Sequence, residues 1–235
     1  MTRLFVALDV ESTAEAKTLA RLLAPHVDGF KVGLELLLGS GPQAVTEVKQ
    51  FGLPIFADAK LADIPNTVER AARQLGRLGA RYVTVHAGGG EEMIAAACRG
   101  IIDGADGQRA GILAVTVLTS LDDGALLTVG ISGTAAQQTS RLAKLAASAG
   151  AEGVVCSVDE LEVVRESAPD LIRVTPGIRL DLDHHDQRRV ATPDEARRRG
   201  SDILVVGRPI TSAADPVEIA RAIRTYGIGS SAAPV

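Results

Sequence analysis

The chain has 235 residues, enough for one large domain or two small ones, and barrels of alternating strands and helices commonly reach this size as one domain. With 46% hydrophobic and 23% charged residues it can bury a sizeable core, which excludes global disorder. A net charge of −4, only 3% aromatics and no Trp argue against nucleic acid as the main partner, because the chain offers neither a basic face nor base-stacking platforms.

Eight short apolar runs alternate with helical patterns along the chain. The strand-like runs are LFVALD (4–9), FKVG (30–33), PIFADAK (54–60), YVTVHA (82–87), GILAVTVL (111–118), GVVCS (153–157), IRVTPGI (172–178) and DILVVG (202–207). Most are rich in Val, Ile and Leu without strict polar alternation, the pattern of strands covered on both faces. Between the first two runs, residues 15–26 put Ala16, Leu19, Ala20 and Leu23 on one helical face. Residues 134–150 end in Gly150, a natural helix stop, and 192–200 combine Thr192 as N-cap, Pro193 at the first helical position and Gly200 after the last turn. Residues 215–227 repeat that grammar with Asp215, Pro216 and Gly227.

Strand then helix, eight times over, predicts a closed (β/α)8 barrel of the TIM type. An open doubly wound sheet is the competitor, and its dinucleotide form is weakened by the lack of a GxGxxG after the first strand. No composition shift marks a boundary, so residues 1–235 are expected to form a single domain, with 227–235 (GIGSSAAPV) small and polar enough to fray. Cys98 and Cys156 lack any CxxC or Cys/His spacing and read as small buried residues. The apolar run in MTRLFVALDV is too short for a signal peptide, and no window reaches the roughly 18 apolar residues of a membrane span. A cytoplasmic location is the resulting expectation.

In such a barrel the chemistry sits where strands end and loops lead into helices. Read in order, those ends carry Asp9, Lys31, Asp58 with Lys60, His86, Thr119, Arg179, and Gly207 with Arg208. The chain has only five lysines against twenty arginines, and two of the five, Lys31 and Lys60, fall at strand ends, where surface solvation would not put them. Asp58 and Lys60 are two apart on a strand and so share a face. They could form a structural ion pair at the rim, but their company with Lys31 and Asp9 points towards function. Taken alone, Asp63 reads as an N-cap or first-turn acid of the helix that Pro65 begins.

The segment DAKLADIPNT (58–67) resembles the D-x-K-x-x-D-I-x-x-T signature of the orotidine 5′-phosphate decarboxylase family. ALD (7–9), KVG (31–33), VTVLTS (115–120), TPGIR (175–179), DQRR (186–189) and VVGRPI (205–210) are similar to the same family, in the same order and over essentially the whole chain. The resemblance implies a (β/α)8 barrel, usually a homodimer with active sites at the dimer interface. It implies conversion of orotidine 5′-monophosphate to uridine 5′-monophosphate and CO2, the last step of de novo pyrimidine synthesis, with no metal and no organic cofactor. It further implies that Lys60 donates the proton beside Asp58, and that Asp63 and Thr67 reach into the neighbouring subunit's site, Thr67 at the ribose. By the same resemblance Asp9 and Lys31 join the ribose-contacting network, Thr119 contacts the pyrimidine, and Arg179, Gln187, Gly207 and Arg208 form the phosphate end.

The stretch RLDLDHHDQRR (179–189) corresponds to the family's loop over the phosphate, whose middle varies, so only Arg179 and Gln187 are carried over. His184 and His185 lack a third ligand at a recognisable spacing and read as solvent-facing residues, and His86 reads equally as a packed histidine or as one that shapes the site. Two alternatives stand beside this reading. One is a metal-dependent sugar-phosphate decarboxylase or aldolase on the same barrel, which typically carries Glu where this chain has Lys31, a cation that disfavours a metal site. The other is a non-catalytic nucleotide-binding barrel, which would tolerate loss of Lys60.

Overall fold

Short strands that are apolar on both faces must be covered on both faces, and a closed barrel sheathed in helices does this with no exposed edge. The computed structural model describes residues 2–180 and 191–225. The strands are β1 Arg3–Ala7, β2 Gly29–Val32, β3 Ile55–Leu61, β4 Tyr82–His86, β5 Gly111–Val115, β6 Gly153–Val155, β7 Ile172–Thr175 and β8 Ile203–Val206. Every ladder is parallel, and β1 pairs with both β2 and β8, so the sheet closes on itself. The helices are α1 Thr13–Leu23, α2 Leu34–Ser40, α3 Ala44–Lys49, α4 Pro65–Arg77, α5 Glu91–Gly104, α6 Asp123–Thr128, α7 Ala135–Ser148, α8 Leu161–Ser167, α9 Pro193–Arg198, α10 Arg208–Thr211 and α11 Pro216–Thr225. The chain is therefore a (β/α)8 barrel, as expected, and each of the eight apolar runs overlaps one strand.

The caps read from the sequence also form. Thr192 accepts the Glu195 N–H at the start of α9, and Asp215 accepts the Val217 and Glu218 N–H groups ahead of α11. Gly150 and Gly200 follow α7 and α9 with φ of +82° and +92°. The helical pattern at 15–26 is shorter than predicted: α1 stops at Leu23, and a 3₁₀ turn over Ala24–His26 takes in Pro25, whose missing N–H cannot continue the ladder. Cys156 is buried, whereas Cys98 on α5 is only partly so, and neither is in a disulfide. The frayed tail expected at 227–235 lies outside the described residues.

Alternation along the strands separates two cores. Leu4, Val6 and Leu8 face the helices, while Phe5 and Ala7 face the barrel interior with Phe56, Tyr82, Leu113, Val174, Ile203 and Val205. Phe5, Phe56 and Tyr82, three of the few aromatics, meet there at centroid distances of 6.1 and 6.5 Å to Tyr82. Below them Arg3 donates to the Tyr82 hydroxyl at 3.2 Å, and the Arg81 guanidinium lies 4.0 Å over the Tyr82 ring while paired with Glu152. The N-terminal end of the barrel is thus plugged, and the open end is the C-terminal one.

The helix that follows β3 is locked to its neighbour. A Cβ on Gly100 would lie 2.1 Å from the Glu69 carbonyl oxygen, and one on Gly104 equally close to that of Arg73. Only glycine at these two positions lets α5 approach the α4 backbone, and this fixes the helix that carries Thr67.

Candidate active site

Three inward-facing rows of side chains, on β1, β3 and β4, climb from apolar at the plugged end to polar at the open one. On β1 the row is Phe5, Ala7 and then Asp9 just beyond the strand; on β3 it is Phe56, Asp58, Lys60; on β4 it is Tyr82, Thr84, His86. Asp9, Asp58 and Lys60 of this polar tier border a cavity of about 570 Å³ at the C-terminal mouth, lined also by Lys31 and, on the far side, by Arg179 and Arg208. That volume is in the range of small-molecule sites.

The four charged groups form one chain. Lys31 Nζ donates to Asp9 Oδ1 at 2.8 Å and lies 3.5 Å from Asp58 Oδ2, which accepts from Lys60 Nζ at 2.7 Å. Lys31 and Asp58 are buried, and the Lys60 side chain is 31% exposed towards the cavity. Burial alone would raise the Asp58 pKa, but the charges of Lys31 and Lys60, with hydrogen bonds from Lys60 and Thr84, hold it below the usual carboxylate value. Asp58 is therefore an anion at neutral pH, placed directly against the Lys60 ammonium. Partial burial, and then the Lys60 charge, push the His86 pKa below its ordinary value, against a smaller opposing pull from Asp58. It does not line the cavity.

Asp58 and Lys60 meet as their spacing predicts, but β3 is not regular between them. Ala57 pairs with Val83 and Leu61 with Val85, so three residues of β3, Asp58, Ala59 and Lys60, stand opposite the single residue Thr84. Lys60 takes a φ of +48° within this bulge, one of two non-glycine residues with positive φ among the described residues. Gly33 is also required by the site. A Cβ there would fall 2.4 Å from Asp9 Oδ1 and 2.7 Å from Lys31 Nζ, so any other residue would displace the ion pair.

Of the remaining residues expected from the sequence, Thr119 and Gly207 border the cavity with Arg179 and Arg208. Asp63 and Thr67 do not: both are exposed, and Asp63 Oδ1 accepts the adjacent Ile64 N–H at 2.7 Å. The N-cap of α4 is Ile64 rather than Asp63, with Pro65 opening the helix as predicted. Gln187, His184 and His185 lie outside the described residues. Sequence reasoning missed Thr84, whose signal was the period-two row from Tyr82 to His86, and Glu35 on the first turn of α2, which also borders the cavity.

A family model described as orotidine 5′-phosphate decarboxylase / HUMPS family matches residues 2–223. The chain belongs to this family. An orotidine 5′-phosphate decarboxylase from Anaeromyxobacter sp. (strain K) is 50% identical over 223 residues, covering 94% of this chain and 96% of the relative. One from Moorella thermoacetica is 48% identical over 227 residues, covering 94% and 90%. Among solved structures, orotidine 5′-phosphate decarboxylase from Lactobacillus acidophilus superposes with a TM-score of 0.84 at 40% identity, over 96% of this chain and 98% of that one. The family is thus supported independently by sequence and by fold, and each relative matches along nearly its whole length.

Proposed function

We propose that this chain decarboxylates orotidine 5′-monophosphate to uridine 5′-monophosphate and CO2, in pyrimidine nucleotide synthesis, with Lys60 as the proton donor. The observation that carries this reading is the Lys31–Asp58–Lys60 arrangement beside a cavity of nucleotide size, in a chain half identical to named decarboxylases. The C6–carboxylate bond breaks, CO2 leaves, and the electron pair stays in an sp2 orbital at C6 that the ring delocalises poorly. A fixed ammonium is suited to that charge. Its Nζ–H proton then passes to C6, and neutral Lys60 regains a proton from water. Asp58, hydrogen-bonded to the ammonium at 2.7 Å, sets its direction.

Asp9 and Lys31 are assigned to the ribose side and Thr119 to the pyrimidine. Arg179, Arg208 and the bare backbone at Gly207 are assigned to the phosphate, since guanidinium groups bind phosphate oxygens in a fork. Gln187 is assigned to the same end by family resemblance. Binding energy at the phosphate, remote from the reacting bond, can appear as rate when it orders the charged groups. The chain acts as one domain, in the cytoplasm, where cysteines outside disulfides, such as Cys98 and Cys156, stay reduced. No helix among the described residues is long and apolar enough to cross a membrane.

A homodimer with shared sites is favoured because Asp63 and Thr67 are exposed outside their own cavity. Ile64, just ahead of α4, and Leu38, on α2, also expose apolar side chains, at 67% and 82%. The metal-dependent sugar-phosphate alternative is disfavoured because Lys31 Nζ lies within 3.5 Å of both Asp9 and Asp58, occupying with positive charge the place a divalent ion would need. Purified protein given orotidine 5′-monophosphate should release uridine 5′-monophosphate at the same rate with and without a strong chelator. Inertness towards this nucleotide, or chelator-sensitive cleavage of a sugar phosphate, would reject the assignment.

A further inference from the structure

The bulge in β3 leaves Lys60 in an unusual backbone conformation, and one buried side chain meets it. Thr84 is fully buried and does not line the cavity. It is the only β4 residue opposite the three-residue bulge. The Lys60 backbone N–H, turned out of the ladder by the φ of +48°, donates to Thr84 Oγ1 at 2.9 Å. Thr84 Oγ1 also lies 2.9 Å from Asp58 Oδ1. A backbone N–H can only donate and an ionised carboxylate can only accept, so the direction of both bonds is fixed. Thr84 receives the Lys60 N–H and gives its own proton to Asp58. The other Asp58 oxygen accepts from Lys60 Nζ at 2.7 Å, which closes a ring.

We infer that Thr84 is a positioning residue for the decarboxylation, holding Lys60 through its backbone and Asp58 through its carboxylate so that the ammonium is aimed at the reacting carbon. This inference rests on the decarboxylase reading. The Thr84–Asp58 bond is buried and the Lys60 N–H bond is partly buried, so water does not substitute for a lost hydroxyl at no cost, and the branched side chain restricts the rotamers that could miss its partners. A left-handed backbone at a non-glycine residue persists only where its surroundings hold it, and here the Thr84 hydroxyl is the partner of the Lys60 N–H. Because Thr84 does not border the cavity, its removal should act on the reacting step through Lys60 and Asp58 and leave substrate contacts in place.

The test compares Thr84→Val, which keeps the shape and removes the hydroxyl, with Thr84→Ser, which keeps the hydroxyl. In Thr84→Val, kcat should fall about thirtyfold while KM for orotidine 5′-monophosphate stays within about threefold, and Thr84→Ser should keep most of kcat. Should Thr84→Val not fold, Thr84→Ala takes its place with the same expected split. A hydroxyl-free variant within about threefold of wild-type kcat, or Thr84→Ser as slow as Thr84→Val, overturns the inference. Amide hydrogen exchange at Lys60 supplies an arm independent of turnover. Loss of protection at that N–H in the hydroxyl-free variant supports the ring, and retained protection overturns it. A wild-type chain that does not turn over the nucleotide would instead reject the decarboxylase reading, and the exchange result would still decide the role of Thr84.

Discussion

Lys60→Ala should lower kcat by about 10⁴-fold or more, about 5.4 kcal/mol of barrier, while binding of the product nucleotide survives. The size follows from two losses at one atom. The variant lacks the cation that stabilises charge at C6 and also the acid that quenches it. Binding survives because Arg179 and Arg208 border the far side of the cavity. The fold should survive too, since Asp58 keeps Lys31 at 3.5 Å and Thr84 at 2.9 Å after its 2.7 Å partner is gone. Steady-state turnover together with product affinity by calorimetry checks both halves. A variant within about tenfold of normal turnover, a change of only about 1.4 kcal/mol, would contradict the assignment of Lys60.

The second large effect is the loss, and then the return, of activity on mixing two dead variants. Asp63→Ala alone should be severely impaired if Asp63 supplies negative charge beside the ammonium of a neighbouring subunit. Its placement motivates this, for it is exposed, lies three residues beyond Lys60, and is turned to the Ile64 N–H rather than into its own cavity. In a heterodimer of Lys60→Ala and Asp63→Ala chains, one site lacks both groups and the other lacks neither. Equal mixing with full exchange should therefore restore about a quarter of wild-type activity, because half the dimers are mixed and each holds one intact site. If mass spectrometry shows exchanged dimers while activity stays at the level of the parents, Asp63 acts within its own chain or only steadies the start of α4.

The barrel was legible because its strands are buried on both faces, which writes them as continuous apolar runs such as DILVVG, and because Thr192, Pro193, Asp215 and Pro216 mark helix starts by their own chemistry. The short helices α2, α3, α6 and α10 were not read, since four to seven residues carry too little periodicity. In the site, charge made Asp9, Lys31, Asp58 and Lys60 conspicuous. Thr84 was hidden because Thr is ordinary in strands, and only the bulge opposite it gives its hydroxyl a task. The bulge itself was hidden because plain alternation already puts Asp58 and Lys60 on one face, whereas the structure brings them together through a register shift and a left-handed Lys60. The proposed trans role of Asp63 and Thr67 cannot be reached from one chain's spacing, since on that proposal the residues they would meet belong to another copy.

The proton delivered to the product tests the proposed chemistry most directly. Turnover of orotidine 5′-monophosphate in D2O, followed by NMR and mass spectrometry of the nucleotide formed, should give uridine 5′-monophosphate with a single deuterium at C6, where exchanged Lys60 delivers it. The label should form with or without chelator, and Lys60→Ala should form almost none. Deuterium at C5, or labelled product from Lys60→Ala at a near wild-type rate, would contradict a C6 carbanion quenched by Lys60.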